Sequence, residues 1–232
     1  MDERLIRQRA RENLANNWGL SIGVAAIACL LGGLMTGSSF LPDIEYAISH
    51  RNLSFAQLGE EIVKLTVDSS GIFGLAAFII GGVLQLGYAR FLLKQHDRQP
   101  LEFNELFSQF DRFGAGFAQS FLRGLYISLW SLLFIIPGII AGYSYALTPF
   151  LMVEHPELSA NEAISLSKKM MQGNKGNLFV LDLSFFGWTL LGILTLNLGF
   201  LAVNPYRNAA YAAFYREVCT RYQYIPKDFT NR

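Results

Sequence analysis

Three stretches of this chain, residues 13–42, 69–89 and 124–153, contain no charged side chain. A helix needs about 20 predominantly apolar residues to cross a bilayer core about 30 Å thick, and each stretch is long enough to supply them. No other feature limits the possible folds as strongly. The composition agrees: 52% of the 232 residues are hydrophobic, only 16% are charged and the mean hydropathy is +0.29. That balance does not suit a water-soluble domain.

The third uncharged stretch joins residues 113–122 through Arg123 alone. Taken as one helix, residues 113–153 would extend roughly 60 Å, so two spans are expected there. Pro137 followed by Gly138 is the expected turn, because proline lacks a backbone donor and glycine tolerates unusual dihedrals. Residues 176–215 repeat the situation, with only Asp182 and Arg207 inside and "TLNLG" (195–199) as the turn. The expectation is a single all-α integral membrane domain over residues 1–232, with six transmembrane helices near 18–35, 72–93, 116–136, 138–153, 178–196 and 199–215.

Orientation follows from lysine and arginine, which are retained on the cytoplasmic side. Of 19 such residues, Arg51 and Lys64 lie between spans one and two, Arg123 and Arg207 lie within spans, and the other fifteen fall on the side opposite Arg51 and Lys64. Both termini are therefore expected inside. The first apolar stretch reads as a span rather than a cleaved leader, being long for a leader core and followed by no clear A-x-A-like site. Cys29 and Cys219 fall in different places, so no disulfide is expected.

Three polar or amphipathic segments precede the outward spans. Ser159 and Glu162 form a capping box for a helix running to about Met171 and closed by Gly173. Its Ala163, Ile164, Met170 and Met171 share one face, and Lys168 and Lys169 lie on another. Phe103, Leu106, Phe107, Phe110 and Phe113 follow helical spacing before the third span, and Leu5, Ile6, Ala10 and Leu14 interleave with Arg4, Arg7, Arg9 and Arg11 before the first. Three cytoplasmic interfacial helices are expected. With "LWSLL" (129–133) and "GWTLL" (187–191) on outward spans, they describe a threefold repeat of surface helix, outward span and returning span.

"GYARFLL" (87–93), "LFSQFDRFG" (106–114), "PGIIAGYSYALTPFLMVEHPELSANEAISLSKKMMQGNK" (137–175) and "VNPYRNAAYAAFY" (203–215) together resemble the bacterial integral-membrane family catalogued as domain of unknown function nine hundred and seventy-five. The chain is more distantly similar to the membrane portion of some glycerophosphodiester phosphodiesterases. The resemblance implies a multi-pass protein of the bacterial plasma membrane. It implies no reaction, because the catalytic barrel of those enzymes has no counterpart here.

The residues offer little catalytic chemistry. His50, His96 and His155 are scattered without ligand spacing, so no metal and no cofactor are expected. Glu154, His155 and Glu157 read as a solvated loop end rather than a proton-transfer group. "GNKGN" (173–177) lacks the spacing of a nucleotide-binding loop and reads as a cap plus turn. Its functional alternative is an amide concavity that, with Lys168, Lys169 and Lys175, holds a lipid phosphate. The pairs Gly19 with Gly23 and Gly138 with Gly142 are read as packing seams.

Charges at bilayer depth face a partner or a water-filled cavity. Arg123, Asp182 and Arg207 form the candidate intramembrane charge network, with Asp182 expected to pair with one of the arginines. The favoured function is a non-catalytic membrane module, a scaffold, regulator or lipid-handling protein whose partners are anionic headgroups, another protein or a second copy, and not nucleic acid. The alternative is a small transporter or exporter with Arg123, Asp182, Arg207, Tyr143, Tyr145 and Tyr206 around its cavity.

Overall fold

The computed structural model describes residues 3–15, 17–32, 71–194 and 199–222, and the described chain is helical without strands. The helices are α1 (Glu3–Leu14), α2 (Trp18–Gly32), α3 (Gly71–His96), α4 (Phe113–Leu133), α5 (Ile135–Ser144), α6 (Thr148–Glu154), α7 (Ala160–Met170), α8 (Lys175–Leu194) and α9 (Phe200–Tyr222). Two 3₁₀ turns, Phe103–Phe107 and Phe110–Arg112, lead into α4. The expected first outer loop, with His50, Arg51 and Lys64, lies outside the described residues, as does most of the expected turn at 195–199.

Helix α3 is the hub. Residues 81–89 are buried without a break, and α2, α4, α6 and α9 all pack on α3. Glycine sets the closest approaches. A Cβ on Gly82 would lie 2.3 Å from the Gly116 carbonyl oxygen, one on Gly116 would lie 2.8 Å from the Val83 Cα, and one on Gly87 would lie 1.9 Å from the Leu106 carbonyl oxygen. The expected seams are only partly used. A Cβ on Gly138 would meet Ser131 Oγ at 2.0 Å, whereas Gly19, Gly23 and Gly142 face open space.

The turn between α4 and α5 falls at Phe134, not at Pro137 and Gly138. Phe134 is extended (φ −160°, ψ 148°), and a single residue reverses the chain. Pro137 sits in the first turn of α5, where a missing N–H costs no helical hydrogen bond. Further on, the chain breaks at 145–147 and resumes as α6, with Pro149 at its start. Pro205 lies inside α9.

The segment 103–113 is not the amphipathic α-helix its spacing predicts. A repeat near three also satisfies a 3₁₀ turn, and Glu105 ties these turns to α3 by bridges to Arg90 (3.1 Å) and Lys94. Helix α7 has the expected boundaries. Ser159 Oγ accepts from the Glu162 N–H at 3.4 Å, the Glu162 carboxylate accepts from the Ser159 N–H at 2.9 Å, and Gly173 adopts φ +76° just past the helix. Its apolar face is covered by protein. Ala163, Ile164, Leu166, Ser167 and Met170 are buried against the rest of the chain.

One helical stretch among the described residues, Ile135–Glu154, is long and apolar enough to cross a membrane, and the apolar part of α2, Trp18–Ala28, is shorter. The exposed large apolar side chains are concentrated on neighbouring elements: Leu125, Leu129 and Trp130 on α4, Ile136 and Ile140 on α5, and Phe179, Leu183 and Trp188 on α8. Tyr215, Phe214, Phe91, Leu151 and Met152 are fully buried elsewhere.

Candidate functional site

The charges inside the apolar segments do not form one three-membered group. Asp182, seven residues into α8, pairs with Arg207 of α9, with 3.2 Å between Oδ1 and Nε. Tyr143 of α5 and Tyr211 of α9 donate to the other carboxylate oxygen at 3.1 and 2.7 Å. The carboxylate thus accepts from three donors on two neighbouring helices, and its side chain is only 15% exposed. The Arg207 guanidinium also lies over the Tyr211 ring at 5.8 Å. Each charge is met by its opposite and by oriented hydroxyl dipoles, which keeps an ion pair tolerable at low dielectric.

Arg123 stands apart, and among the described residues it has neither a hydrogen bond nor an ion pair. One turn earlier on α4, Gln119 donates to Gln85 Oε1 at 2.9 Å across the α3–α4 contact, and Ser120 Oγ approaches the same oxygen at 3.2 Å. Gln119 Oε1 is buried without a partner among the described residues. The sequence reading missed this seam, although glutamine in a long apolar stretch marks it.

Of the tyrosines proposed to line a cavity, only Tyr143 joins the Asp182 cluster. Tyr145 packs near Tyr126 with 6.3 Å between ring centroids, and Tyr206 meets Phe185 edge-on at 5.0 Å. Tyr211, which the sequence reading did not single out, makes the shortest hydrogen bond to Asp182.

A second polar cluster closes the far end of α9. Arg216 donates to Asp97, just beyond α3, and to Glu154 at the end of α6, while Tyr215 donates to Glu154 at 2.5 Å. Glu154 is therefore a tie between elements rather than part of a solvated loop end. His155 and Glu157 do pair locally at 3.2 Å. Burial alone would lower the Arg216 pKa, but hydrogen bonds and charge from Asp97 and Glu154 outweigh it and raise the value. Burial raises the Cys219 thiol pKa, which leaves a poor nucleophile. No group of three or more His, Cys, Asp or Glu suited to a metal occurs among the described residues.

Helix α7 is pinned where α5 gives way to α6. Ser167 Oγ donates to the Ser144 carbonyl at 2.8 Å and accepts from the Leu147 N–H at 3.2 Å, satisfying backbone groups that the break would leave open. Tyr126 donates to Asn161 at 2.9 Å, and Arg112 holds the Met152 and Pro156 carbonyls, each at 2.8 Å. Lys168 and Lys169 lie on the exposed side of α7, and Lys175 opens α8 half-buried. In the "GNKGN" turn, Asn174 points inward and donates to the Met170 carbonyl at 3.0 Å, consistent with a cap and turn.

The Asp182 cluster and the pinned α7 both fall within residues 132–222, the part that matches the family model described as protein of unknown function (DUF975). The match is narrower than the sequence resemblance and leaves Arg123 outside. No curated protein and no solved structure matches the chain.

Proposed function

We propose that this protein is a non-catalytic integral membrane module of the bacterial plasma membrane. It crosses six times with both termini in the cytoplasm and binds anionic headgroups there as a scaffold, regulator or lipid-handling protein. The observation that carries this reading is the closure of the Asp182 cluster: Arg207, Tyr143 and Tyr211 occupy its carboxylate and tie helices together instead of lining a path. The exposed apolar side chains of α4, α5 and α8 support the bilayer setting, being in one region what an acyl phase would cover. In this account each surface element, α1, the 3₁₀ turns or α7, feeds an outward span, as a threefold repeat requires. The similarity to the membrane portion of glycerophosphodiester phosphodiesterases rests on sequence motifs alone and adds no chemistry.

Lys168, Lys169 and Lys175 are the proposed electrostatic contacts to the inner leaflet, each contributing about 1 kcal/mol near an anionic surface. The test compares anionic with neutral lipid binding by purified wild type and K168Q/K169Q/K175Q at low and high ionic strength. Preference for anionic lipid falls in the variant, and the difference shrinks with salt. Equal preference in both proteins would remove the headgroup role of α7.

A second reading, a small transporter or exporter, is favoured by Arg123, which is unpaired among the described residues. An arginine at the middle of α4 with no partner among the described residues is suited to an anion passing through or lodging nearby. Arg123→Gln would abolish uptake or export of such an anion in proteoliposomes under this reading, and would leave lipid binding unchanged under the first.

A further inference from the structure

The α1 arginines do not all do the same work. Arg9 pairs with Glu217 of α9 at 3.3 Å. Ile6, Ala10 and Leu14 form the buried face of α1, which packs mainly on α9. Arg4, Arg7 and Arg11 recur at helical spacing on another face, where with Gln8, Glu12 and Ala15 they line a groove of about 570 Å³.

Two details make this more than a solvated basic face. Arg7 Nε is buried and has no hydrogen-bond partner among the described residues. A guanidinium N–H enclosed without an acceptor is costly, and turning the Arg7 side chain toward the groove would let a ligand oxygen remove that cost. The groove is also held in shape: Tyr206 donates to the Arg7 carbonyl at 3.4 Å, and the Arg11 guanidinium lies over the Tyr206 ring at 5.9 Å. The single lining carboxylate, Glu12, accepts from Gln8 at 2.8 Å. Three guanidiniums against one carboxylate leave the lining with a formal charge of +2.

We infer that the α1 groove is a binding site for a phosphate-ester anion, supplied by an anionic phospholipid headgroup. Planar guanidinium forks match phosphate oxygens in pairs, which suits Arg7 and Arg11 to a phosphate. The lipid source rests on the membrane reading above, in which α1 lies at the inner surface just before the first span. The phosphate chemistry rests on the groove itself. The site differs from the proposed α7 lysines, which are side chains on an exposed face.

The test uses the full chain in neutral detergent, titrated separately with dioctanoyl phosphatidylglycerol, dioctanoyl phosphatidylcholine and inorganic phosphate. Wild type binds phosphatidylglycerol in preference to phosphatidylcholine. Arg7→Gln and Arg11→Gln each weaken that binding by about tenfold, the loss of one charge-assisted hydrogen bond. Arg9→Gln removes the same charge and leaves the affinity within about twofold, because its partner is Glu217. Arg7→Lys guards against misfolding, keeping the charge but losing the fork, and it gives an intermediate affinity in a protein with the wild-type melting temperature. An equal loss in Arg9→Gln would reduce the site to general charge attraction and overturn the inference. So would a loss seen only in K168Q/K169Q/K175Q, which would still keep headgroup binding on α7. Arg7-dependent binding of inorganic phosphate without phosphatidylglycerol binding would retain the anion groove and remove the lipid reading. Failure of wild type to bind either anion would overturn the groove itself.

Discussion

Asp182 and Arg207, 25 positions apart in sequence, join α8 to α9 through a 3.2 Å contact, and both side chains are less than one-sixth exposed. Removing either charge strands the other in an apolar setting. Asp182→Asn should therefore lower stability in detergent by about 3 kcal/mol. Arg207→Gln in the same protein should recover part of that loss, whereas Arg123→Gln should add its own effect independently. Thermal melts of both double variants check this, and additivity in both would mean the contact contributes no coupling energy.

Ser167→Ala should destabilise the junction of α5, α6 and α7. It leaves the Leu147 N–H and the Ser144 carbonyl without their side-chain partner, at a cost of about 1–3 kcal/mol. Hydrogen exchange should rise at Leu147 before the rest of the bundle opens. Unchanged protection there would show that the bridge is dispensable.

The close approaches make a paired prediction. Gly87→Ala puts a Cβ against the Leu106 backbone, which cannot move as a flexible side chain can, and should cost about 1–3 kcal/mol. Gly142→Ala adds a Cβ in open space within a helix and should be neutral or slightly stabilising. Melting temperatures of the two variants give the comparison, and equal shifts would contradict the packing at Gly87.

Local signals were the most legible. Ser159 and Glu162 were readable because a capping box involves neighbouring groups, and Gly173 because the chain must leave the helix with positive φ. The need for a partner at Asp182 was also readable, since a carboxylate in an apolar stretch demands one. Which arginine answers depends on how α8 and α9 pack, and Tyr211 looked like any aromatic. Pro137 misled because proline is tolerated in a helix's first turn, so it marked the beginning of α5 rather than the reversal. Gly82, Gly87 and Gly116 were silent because only packing shows which glycines meet a backbone. The buried face of α7 was visible as a stripe, but periodicity does not say whether lipid or protein covers it.

His96 supplies a pH prediction. Burial, opposed by nearby Asp97, lowers its pKa below the ordinary 6.5, and Asn13 lies 3.2 Å from its Nδ1. In the window below 6.5 the unfolded chain binds a proton that the folded chain does not, so stability falls as pH drops through that window. His96→Gln should flatten the difference between stabilities measured at pH 7.5 and about pH 5.5, a span chosen around the ordinary histidine value. An unchanged slope in the variant would mean that other groups carry the dependence.

The central claim is a six-span protein with α7 on the cytoplasmic side, and cysteine labelling on intact cells tests it most directly. In a background without Cys29 and Cys219, single cysteines replace Ser54, in the expected outer loop, and Ser165, exposed on α7. An impermeant thiol reagent should label Ser54→Cys on intact cells and Ser165→Cys only after the membrane is opened. Labelling of Ser165→Cys on intact cells, with Ser54→Cys protected until opening, would contradict the account.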